Sequence, residues 1–339
     1  MGCCCDKAWT DERADSREPV WYPAFLEALP TLEEKIVAVT GCTSGTGFHL
    51  ALGALQKGAT VIMLNRPSAR QEAAYAKLTE SVPNAKLSFV PCDLTSFEST
   101  RAAAAALTET YGVSGIDVLC CNAGIMAWED IATGDGYDVQ MQTNHLSHFL
   151  LCQALFPLLE TAAKSRTEAR IVFHSSLARH GKPLASKYFG KNGGDLGGNS
   201  ASMFCGGARW ERYHQTKLAN ITCAQALHQR LAASTSAVKA VCAAPGLATT
   251  HLQTSTSKNG GMSETWIMKY AQSAPDGAMP IMHCCFGTDV QSGEMYEPTL
   301  SGHSKGPVGK VTIKPGEKDP ASMKMLWEQS EAACGVKFL

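Results

Sequence analysis

Residues 35–47 read KIVAVTGCTSGTG, and this stretch decides the fold. The apolar run at 35–40 predicts a short buried strand, and apolar residues recur at helical spacing from Phe48 onward. The glycines between them allow a tight turn that places a dinucleotide pyrophosphate at the N-terminus of the helix. Gly58 ends that helix, and a second β-branched strand is predicted over 59–64.

The glycine spacing of the turn is G-x-x-x-G-x-G, which differs from the G-x-G-x-x-G of the general dinucleotide fingerprint. No Gly-Lys-Ser/Thr ending follows, which argues against a phosphate loop of the ATPase type. A glycine-rich turn without any ligand is the alternative interpretation. The candidate cofactor-binding residues in the turn are Gly41, Thr43, Ser44, Gly45, Thr46 and Gly47.

Arg66 directly follows the second strand, in Leu64-Asn65-Arg66. NAD sites usually carry an acidic residue near this position to hold the ribose 2′-hydroxyl, and this stretch has none. A guanidinium group suits a 2′-phosphate instead, so the sequence predicts NADP(H) as the cofactor. The alternative is a solvated arginine, since exposed arginines are common at the start of loops.

Strands and helices continue to alternate along the chain. Further strands are predicted at 87–90, 116–121, 170–174, 238–243 and from 293, and helices at 69–82, from 96, 137–159 and 276–286. This order predicts one α/β domain at 32–339 with a doubly wound parallel sheet of the Rossmann type. The turns after the first four strands then lie at the carboxyl edge of the sheet, where ligands bind.

Tyr213 and Lys217 lie four residues apart in WERYHQTKLAN, residues 210–220, and therefore share one face of a helix. A free tyrosine has a pKa of about 10 and exchanges protons poorly at neutral pH. A neighbouring ammonium group favours the phenolate, so this pair predicts a proton donor and acceptor. A tyrosine packed on a lysine stem is the structural alternative.

Composition excludes several classes of function. The 339 residues are 45% hydrophobic and 18% charged, with a net charge of -1, which argues against nucleic acid as a partner. Fourteen cysteines without a secretory signal predict a reducing, intracellular compartment such as the cytoplasm. His145 and His148 lie one turn apart without a further ligand, so core histidines are favoured and no metal is expected.

The first residues form a predicted extension at 1–31, with an apolar segment at 21–29 that is expected to dock on the body. The sequence Met1-Gly2-Cys3-Cys4-Cys5 is compatible with an acylated membrane anchor, with myristate on Gly2 and palmitate on Cys3, Cys4 and Cys5. Asp6 stands where the myristoylation pattern has Ser or Thr. The alternative is a solvated tail.

Taken in order, these motifs resemble the short-chain dehydrogenase/reductase family from about residue 32 to the C-terminus. The residues that carry the resemblance are Thr40-Gly41-x-x-x-Gly45-Thr46-Gly47, Cys92-Asp93-Leu94, Asn122-Ala123-Gly124, Asn144, Ser176, Tyr213-x-x-x-Lys217 and Pro245-Gly246. The motifs at 144–149, 170–178 and 217–220 resemble the branch with retinol dehydrogenases, WW-domain oxidoreductase and protochlorophyllide reductases. Departures are Thr46, Cys121 and Ser147, where many relatives have isoleucine, asparagine and glycine.

The resemblance implies four catalytic residues. Ser176 holds the substrate oxygen, and Tyr213 exchanges the proton with it. Lys217 binds the nicotinamide ribose and favours tyrosinate, and Asn144 holds a relay water; the alternative for Asn144 is a helix–helix hydrogen bond. The remaining cofactor-binding residues implied by the family are Asp93, Leu94, Asn122, Ala123, Gly124, Pro245, Gly246 and Thr250. Asp93 either meets the adenine amino group or caps the helix that starts near Ser96.

Two segments are expected to shape the substrate site. A glycine-rich insertion at about 182–209 separates Ser176 from Tyr213 by more than in most relatives, and it is expected to be a lid or binding surface, not core. The family closes a substrate lid at about 251–274, and its apolar residues suit a hydrophobic substrate. Cys42 in the glycine turn is expected to be exposed, so that its oxidation would block cofactor binding.

The predicted reaction is therefore hydride transfer between NADP(H) and a carbonyl or alcohol carbon of a lipophilic small molecule. One alternative is reduction of a carbon–carbon double bond, as in the protochlorophyllide reductases. The other is an NADP(H)-binding accessory or scaffold subunit without turnover, in which the insertion and the cysteine-rich N-terminus serve a partner. A homo-oligomer is compatible with either interpretation.

Overall fold

The structure, a computed structural model, describes residues 17–203, 206–258 and 267–339. The predictions about Gly2 and Cys3–Cys5 fall outside these residues. The same holds for the middle of the predicted lid, residues 259–266.

Among the described residues, eight strands form one sheet in the order β3-β2-β1-β4-β5-β6-β7-β8. The first seven strands run parallel, and β8 pairs antiparallel with β7. The strands are β1 Ile36–Thr40, β2 Thr60–Asn65, β3 Leu87–Pro91, β4 Val118–Cys121, β5 Ala169–His174, β6 Val238–Ala243, β7 Met295–Leu300 and β8 Lys305–Lys310. The predicted doubly wound α/β fold is confirmed. Strand β8 was not predicted, because its KGPVGK sequence lacks apolar alternation.

Helices cover both faces of the sheet. They are α1 Tyr22–Ala28, α2 Gly45–Gln56, α3 Ala69–Ser81, α4 Phe97–Tyr111, α5 Val139–Arg166, α6 Ala208–Ala233, α7 His251–Lys258, α8 Ala274–Phe286 and α9 Pro320–Cys334. Short 3-10 turns lie at Leu177–Arg179, Ser186–Phe189, Ile267–Tyr270 and Pro315–Glu317. Helix α2 begins at Gly45, three residues before the first apolar residue of its periodic pattern.

The strands are apolar on both sides because each face is buried. Along β1, Val37 and Val39 pack on the face covered by α1, α2, α3 and α8, whereas Ala38 packs on the opposite face. Along β2, Met63 packs on the same face as Val37 and Val39, whereas Ile62 packs on the same face as Ala38. The second face is covered by α4, α5, α6 and α9, so one sheet separates two cores.

Helix α5 is long and apolar enough to cross a membrane by length and composition, but 67% of its most apolar window is buried against the protein. We therefore interpret it as a core helix, as the sequence predicts for residues 150–159. Its segment Gln142–Leu146 is π-helical. Such single π-helical turns often mark functional sites.

The topology fixes where a ligand binds. Chain direction across the sheet reverses between β1 and β4, which are adjacent. The loops after these two strands diverge and leave a crevice at the carboxyl edge. The sequence motifs at 41–47 and 122–124 follow β1 and β4 directly, so both lie at this crevice.

Candidate active site

One cleft of about 990 Å³ runs along the carboxyl edge of the sheet. Most of the catalytic and cofactor-binding residues that the sequence predicts line this cleft. Those that line it are Gly41, Thr43, Ser44, Gly45, Arg66, Asp93, Leu94, Asn122, Ala123, Gly124, Ser176, Tyr213, Lys217, Pro245, Gly246 and Thr250. Thr46, Gly47 and Asn144 do not line the cleft, although each contacts or neighbours residues that do.

The glycine turn leaves no room for side chains at two positions. Gly41 has φ +68°, and a Cβ there would lie 2.7 Å from the Ala123 backbone. A Cβ on Gly47 would lie 2.3 Å from Asn122 Nδ2 and 2.5 Å from the Gly41 carbonyl oxygen. Helix α2 starts beside this turn with no side-chain cap at Ser44. Its first N–H groups and its dipole suit a pyrophosphate, so the residues present fit a dinucleotide.

Asn122 holds the turn together with its side chain. Its Nδ2 donates to the carbonyl oxygens of Thr40 at 2.9 Å and Gly41 at 3.0 Å. Its Oδ1 accepts from Thr46 Oγ1 at 3.1 Å and lies 3.0 Å from His174 Nδ1. Both amide hydrogens are therefore engaged within the protein, and this side chain acts as a brace for the turn that faces the cofactor.

Two arginines, not one, lie at the end of the cleft next to β2. Arg66 is exposed and lines the cleft, which is compatible with both the predicted contact to a 2′-phosphate and the solvated alternative. Arg70, in the first turn of α3, also lines the cleft and donates from Nη2 to Ser44 Oγ at 2.7 Å. Sequence reasoning missed Arg70; its place in the first turn of the helix predicted at 69–82, directly after the Arg66 loop, is the signal that could have found it.

Asp93 does not cap helix α4. Its Oδ1 accepts from the backbone N–H of Thr95 at 2.9 Å and from Thr95 Oγ1 at 2.8 Å. Ser96 is the N-cap instead, and its hydroxyl accepts from the Ser99 N–H at 3.2 Å. The capping alternative for Asp93 is therefore wrong, and its carboxylate stays at the cleft wall.

The loop after β6 closes over the glycine turn. Gly246 has φ +66°, and the N–H of Leu247 donates to the Ser304 carbonyl at 2.7 Å. A Cβ on Gly45 would lie 3.1 Å from Thr250 Cβ. The backbone N–H of Thr250 donates to Gln253 Oε1 at 3.0 Å, which fixes the start of α7.

Tyr213 and Lys217 lie on one face of α6 and are both buried. Lys217 Nζ is 5.7 Å from the centroid of the Tyr213 ring and donates to the His174 carbonyl at 3.0 Å. Burial raises the pKa of Tyr213 to about 12, and its hydrogen bond with Ser176 offsets this in part. Burial lowers the pKa of Lys217 to about 8.

These pKa directions correct the sequence argument. Lys217 was expected to lower the pKa of Tyr213, but among the protein's own groups burial prevails and only Ser176 acts in that direction. A lysine with a pKa of about 8 is, however, able to release and take up a proton near neutral pH. The pair is therefore suited to pass a proton inward from Lys217 to the phenol.

Asn144 lies in the π-helical segment and reaches two elements. Its Oδ1 accepts from the Ile125 N–H at 2.8 Å, and its Nδ2 donates to the Ile125 carbonyl and to Thr216 Oγ1, both at 2.9 Å. The contact with Thr216 on α6 is the helix–helix hydrogen bond of the alternative interpretation. A Cβ on Gly124 would lie 3.2 Å from Asn144 Oδ1 and 3.3 Å from Lys217 Nζ, so both polar groups crowd this glycine.

The two histidines of α5 are core residues. His148 bridges Thr40 Oγ1 at 2.9 Å and the Asn144 carbonyl at 3.1 Å. His145 lies 2.9 Å from Ser330 Oγ, and burial lowers the pKa of both imidazoles, to about 3 for His145 and about 4 for His148. Both are therefore neutral near pH 7. No cluster of metal-ligating side chains occurs within residues 17–203, 206–258 and 267–339.

Arg179 anchors the loop that carries Ser176. It is 3% exposed and donates to the Ser176 carbonyl at 3.1 Å and to Glu317 Oε1 at 2.6 Å. It also forms a buried ion pair with Glu297 of β7. Sequence reasoning missed this triad because Arg179 is more than 100 residues from both glutamates.

The substrate end of the cleft is apolar. Met126, Ala127, Met268 and Ala271 form a buried cluster with Tyr213. The Trp210 ring meets the Tyr213 ring edge-on, with centroids 5.9 Å apart. The phenol is thus surrounded by hydrocarbon on the side away from the glycine turn.

The glycine-rich insertion is built around the carboxylate of Asp130. The backbone N–H groups of Gly194, Leu196 and Gly198 donate to it at 3.0, 2.8 and 2.9 Å. Arg212, fully buried next to Tyr213, lies 3.5 Å from the same carboxylate. Part of the insertion does pack into the core, namely Tyr188, Phe189 and Leu196, so the expectation that it is not core is wrong for these residues.

Cys42 is fully buried, and burial raises the pKa of its thiol to about 12. Its backbone N–H donates to Asn65 Oδ1 at 3.0 Å. A buried thiol with a raised pKa is unreactive. The expectation of an exposed, oxidation-sensitive Cys42 is therefore wrong.

Known proteins share both the sequence and the fold. The family model for short chain dehydrogenases matches residues 35–190. Human retinol dehydrogenase 13 is 31% identical over 316 residues, which cover 91% of this chain and 86% of that protein. A crystal structure of an uncharacterised protein from Mycobacterium paratuberculosis is 30% identical, with a TM-score of 0.71 over 93% of this chain and 98% of that one.

A more distant structure shares the fold. A short chain dehydrogenase from Shigella flexneri, complexed with NADP, is 21% identical, with a TM-score of 0.57 over 79% of this chain and 97% of that one. Together with the ordered motifs and the geometry of the cleft, these similarities identify the chain as an oxidoreductase of the short chain dehydrogenase family, in its retinol dehydrogenase-like branch.

Proposed function

We propose that this protein is an NADP(H)-dependent oxidoreductase that acts on the carbonyl or alcohol carbon of a lipophilic small molecule. The observation that carries the proposal is the position of Tyr213 and Ser176, which both line the cleft that contains the glycine turn at its other end. Arg66 and Arg70 beside that turn support NADP(H), because each offers a guanidinium to a 2′-phosphate. The apolar cluster around Tyr213 supports a lipophilic substrate.

The bound nicotinamide supplies a hydride to the carbonyl carbon in reduction and accepts one in oxidation. In reduction, Ser176 holds the carbonyl oxygen and Tyr213 protonates it. Lys217 stabilises the resulting tyrosinate and resupplies its proton, which a pKa of about 8 allows near neutral pH. Because both amide hydrogens of Asn144 are engaged within the protein, we assign the relay water of that resupply to the remaining lone pair of its Oδ1, which lies near Gly124 as Lys217 Nζ does. The protein contributes orientation, proton supply and exclusion of water.

The test compares NADPH and NADH consumption with nonanal and all-trans-retinal, with propanal as the short-chain control. We expect NADPH to be preferred by at least about tenfold, and Arg66→Ala and Arg70→Ala each to reduce that preference. Nonanal should have the lower KM because of its longer hydrocarbon chain. NADPH that binds but is never consumed with any carbonyl compound would contradict the carbonyl/alcohol activity and leave the double-bond reductase and the scaffold as the alternatives.

We also propose an intracellular, reducing location. The ten cysteines of the described residues are free and buried, with no disulfide among them. Thiols kept reduced in the core are typical of such compartments.

A further inference from the structure

The N-terminal extension is tied to the end of the predicted lid across more than 250 residues of sequence. The guanidinium of Arg17 donates to the carbonyl oxygens of Met268 at 2.7 Å, Lys269 at 3.0 Å and Ala271. These carbonyls belong to the 3-10 turn Ile267–Tyr270 and the residue that follows it. Carbonyls at the end of a helical turn lack intrahelical partners, and a cation is a favourable partner for them.

A second contact lies a few residues further along. The carboxylate of Asp276, in the first turn of α8, accepts from the backbone N–H groups of Val20 at 2.9 Å, Trp21 at 2.8 Å and Tyr22 at 2.9 Å. Trp21 is the N-cap of α1, Val20 precedes it and Tyr22 is the first helical residue, so none of these three N–H groups has a partner within that helix. Asp276 is 1% exposed and also accepts from Ser273 Oγ at 2.8 Å. The carboxylate thus joins the start of α1 to the start of α8.

Helix α1 is itself fixed on the body. Tyr22 is buried in the core beneath the sheet, and its hydroxyl donates to the His49 carbonyl at 3.3 Å. A Cβ on Gly53 of α2 would lie 3.0 Å from the Tyr22 hydroxyl oxygen and 3.3 Å from Leu26 Cδ1. Helix α1 is therefore packed firmly against α2, and Arg17, which precedes it, contacts the end of the lid.

The residues that Arg17 holds are walls of the substrate pocket. Met268 and Ala271 belong to the apolar cluster around Tyr213, and Met268 lines the cleft. The next residue, Gln272, exchanges backbone hydrogen bonds with Leu247 at 2.8 Å and Thr249 at 2.9 Å in the loop after β6. A shift of the 268–271 segment would consequently move the hydrocarbon wall beside the phenol while leaving the glycine turn in place.

We propose that residues 17–22 clamp residues 268–276, the end of the predicted lid and the start of α8, and that Arg17 and Asp276 are positioning residues that set the substrate-binding wall of the pocket. The clamp rests on the proposed function for its kinetic consequence, but its effect on the lid does not. Both halves of the clamp lie outside the segment 35–190 that the family model matches.

The experiment compares Arg17→Gln with wild type and with Arg101→Gln. Arg101 is a matched control because its guanidinium also donates to a backbone carbonyl, that of Cys334, away from the lid. Hydrogen exchange is measured by mass spectrometry on the full-length protein, and KM is measured for nonanal with the dissociation constant for NADPH. The exchange measurement requires no turnover, so it tests the clamp even if the proposed substrate class is wrong.

We expect Arg17→Gln to speed amide exchange in residues 268–277 by about tenfold and to leave exchange in β1, β4 and β5 unchanged. KM for nonanal should rise about tenfold, while NADPH affinity stays within about twofold. Arg17→Lys keeps the charge without the planar fork and should give an intermediate increase. Asp276→Ala should loosen the same residues, and Arg101→Gln should not.

Unchanged exchange at 268–277 in both Arg17→Gln and Asp276→Ala would overturn the clamp. So would faster exchange there with no change in KM for nonanal, because the contact would then stabilise the segment without positioning the pocket wall. A uniform increase of exchange across the sheet would also contradict it, since that result would mark a general loss of stability.

Discussion

The cofactor end and the substrate end of the cleft are held together by different kinds of contact. At the cofactor end, two short motifs crowd each other, because a Cβ on Gly41 would meet Ala123 and a Cβ on Gly47 would meet Asn122. At the substrate end, charged side chains join distant segments: the buried Asp130 holds the insertion, and the half-buried Arg17 holds the end of the lid. Steric crowding allows only glycine at certain positions, and such glycines are visible in the sequence. A charge contact only requires two segments to lie close together in the fold, which the sequence does not show. The first end is therefore the more predictable one.

The largest effect is expected from adding one methyl group at the cofactor end. Gly47→Ala would place its Cβ 2.3 Å from Asn122 Nδ2, so the turn must shift. The predicted pyrophosphate-binding site would shift with it. We expect NADPH affinity to fall by about 100-fold, measured by fluorescence titration. The control is Gly134→Ala, where nothing lies within 4 Å of the added Cβ. Equal losses in both variants would contradict the steric account of the turn.

At the substrate end, the corresponding change is Asp130→Asn. It removes the charge that holds three backbone N–H groups of the insertion and faces the buried Arg212. We expect the free energy of unfolding to fall by about 2 kcal/mol, with a higher KM for nonanal and unchanged NADPH affinity.

Glu129→Gln is the matched control for Asp130. Glu129 is half exposed and pairs with Arg209 at 3.4 Å, so the free energy of unfolding should change by less than about 0.5 kcal/mol. If Asp130→Asn weakened NADPH binding as much as substrate binding, the two ends of the cleft would not be separable.

Lys217 lies between the cofactor end and the substrate end of the cleft. Burial of its ammonium group reduces the free energy of unfolding by a measurable amount. Burial lowers its pKa from an ordinary value of 10.5 to about 8, so the unfolded chain binds more protons than the native protein between these values. Stability of the wild type therefore rises with pH across this window. Lys217→Met has no ammonium group to bury, so it does not lose stability in this way. Tyr213 remains buried in this variant.

We expect Lys217→Met to lose turnover but to be more stable than the wild type at pH 7. The difference in unfolding free energy should narrow by about 1.3 kcal/mol between pH 7 and pH 9, measured by denaturant titration. The His174 carbonyl keeps a donor in this variant, from Asn220 Nδ2 at 3.0 Å. A stability difference that does not depend on pH would show that Lys217 titrates normally.

The smallest effect is expected at Cys42, which lies in the crowded turn. Because its thiol is fully buried and its pKa is raised to about 12, iodoacetamide at pH 7.5 should leave it unmodified in the native protein. Peptide mass spectrometry after alkylation measures this directly, and NADPH affinity should not change. Rapid labelling of Cys42 would mean that the turn opens readily.

The sequence was sufficient for the parallel sheet and for the place of the glycine turn at its carboxyl edge, because both rest on local patterns. The strand-turn-helix pattern at 36–56, the missing acid after β2 and the order of the later motifs all lie in short segments. Arg70 was missed although it is equally local, since its guanidinium becomes relevant only when α3 turns it toward Ser44. The roles of the individual site residues remain predictions.

The substrate end was not predictable in this way. Arg179 meets Glu297 and Glu317 across 118 and 138 residues, and Arg17 meets the lid across more than 250. No local pattern relates such residues, because their proximity follows from the packing of the whole sheet. The pKa of Tyr213 was mispredicted for the same reason: burial by Met126, Met268 and Trp210 outweighs the nearby ammonium group.

The central claim is that the Tyr213 hydroxyl transfers the proton beside a bound nicotinamide. The most direct measurement is turnover of nonanal and binding of NADPH by Tyr213→Phe, with Tyr75→Phe as the control, since the Tyr75 hydroxyl bonds the Leu87 carbonyl far from the cleft. The account predicts a loss of turnover of about 10²- to 10⁴-fold in Tyr213→Phe with NADPH affinity unchanged. Turnover close to that of the wild type would contradict it.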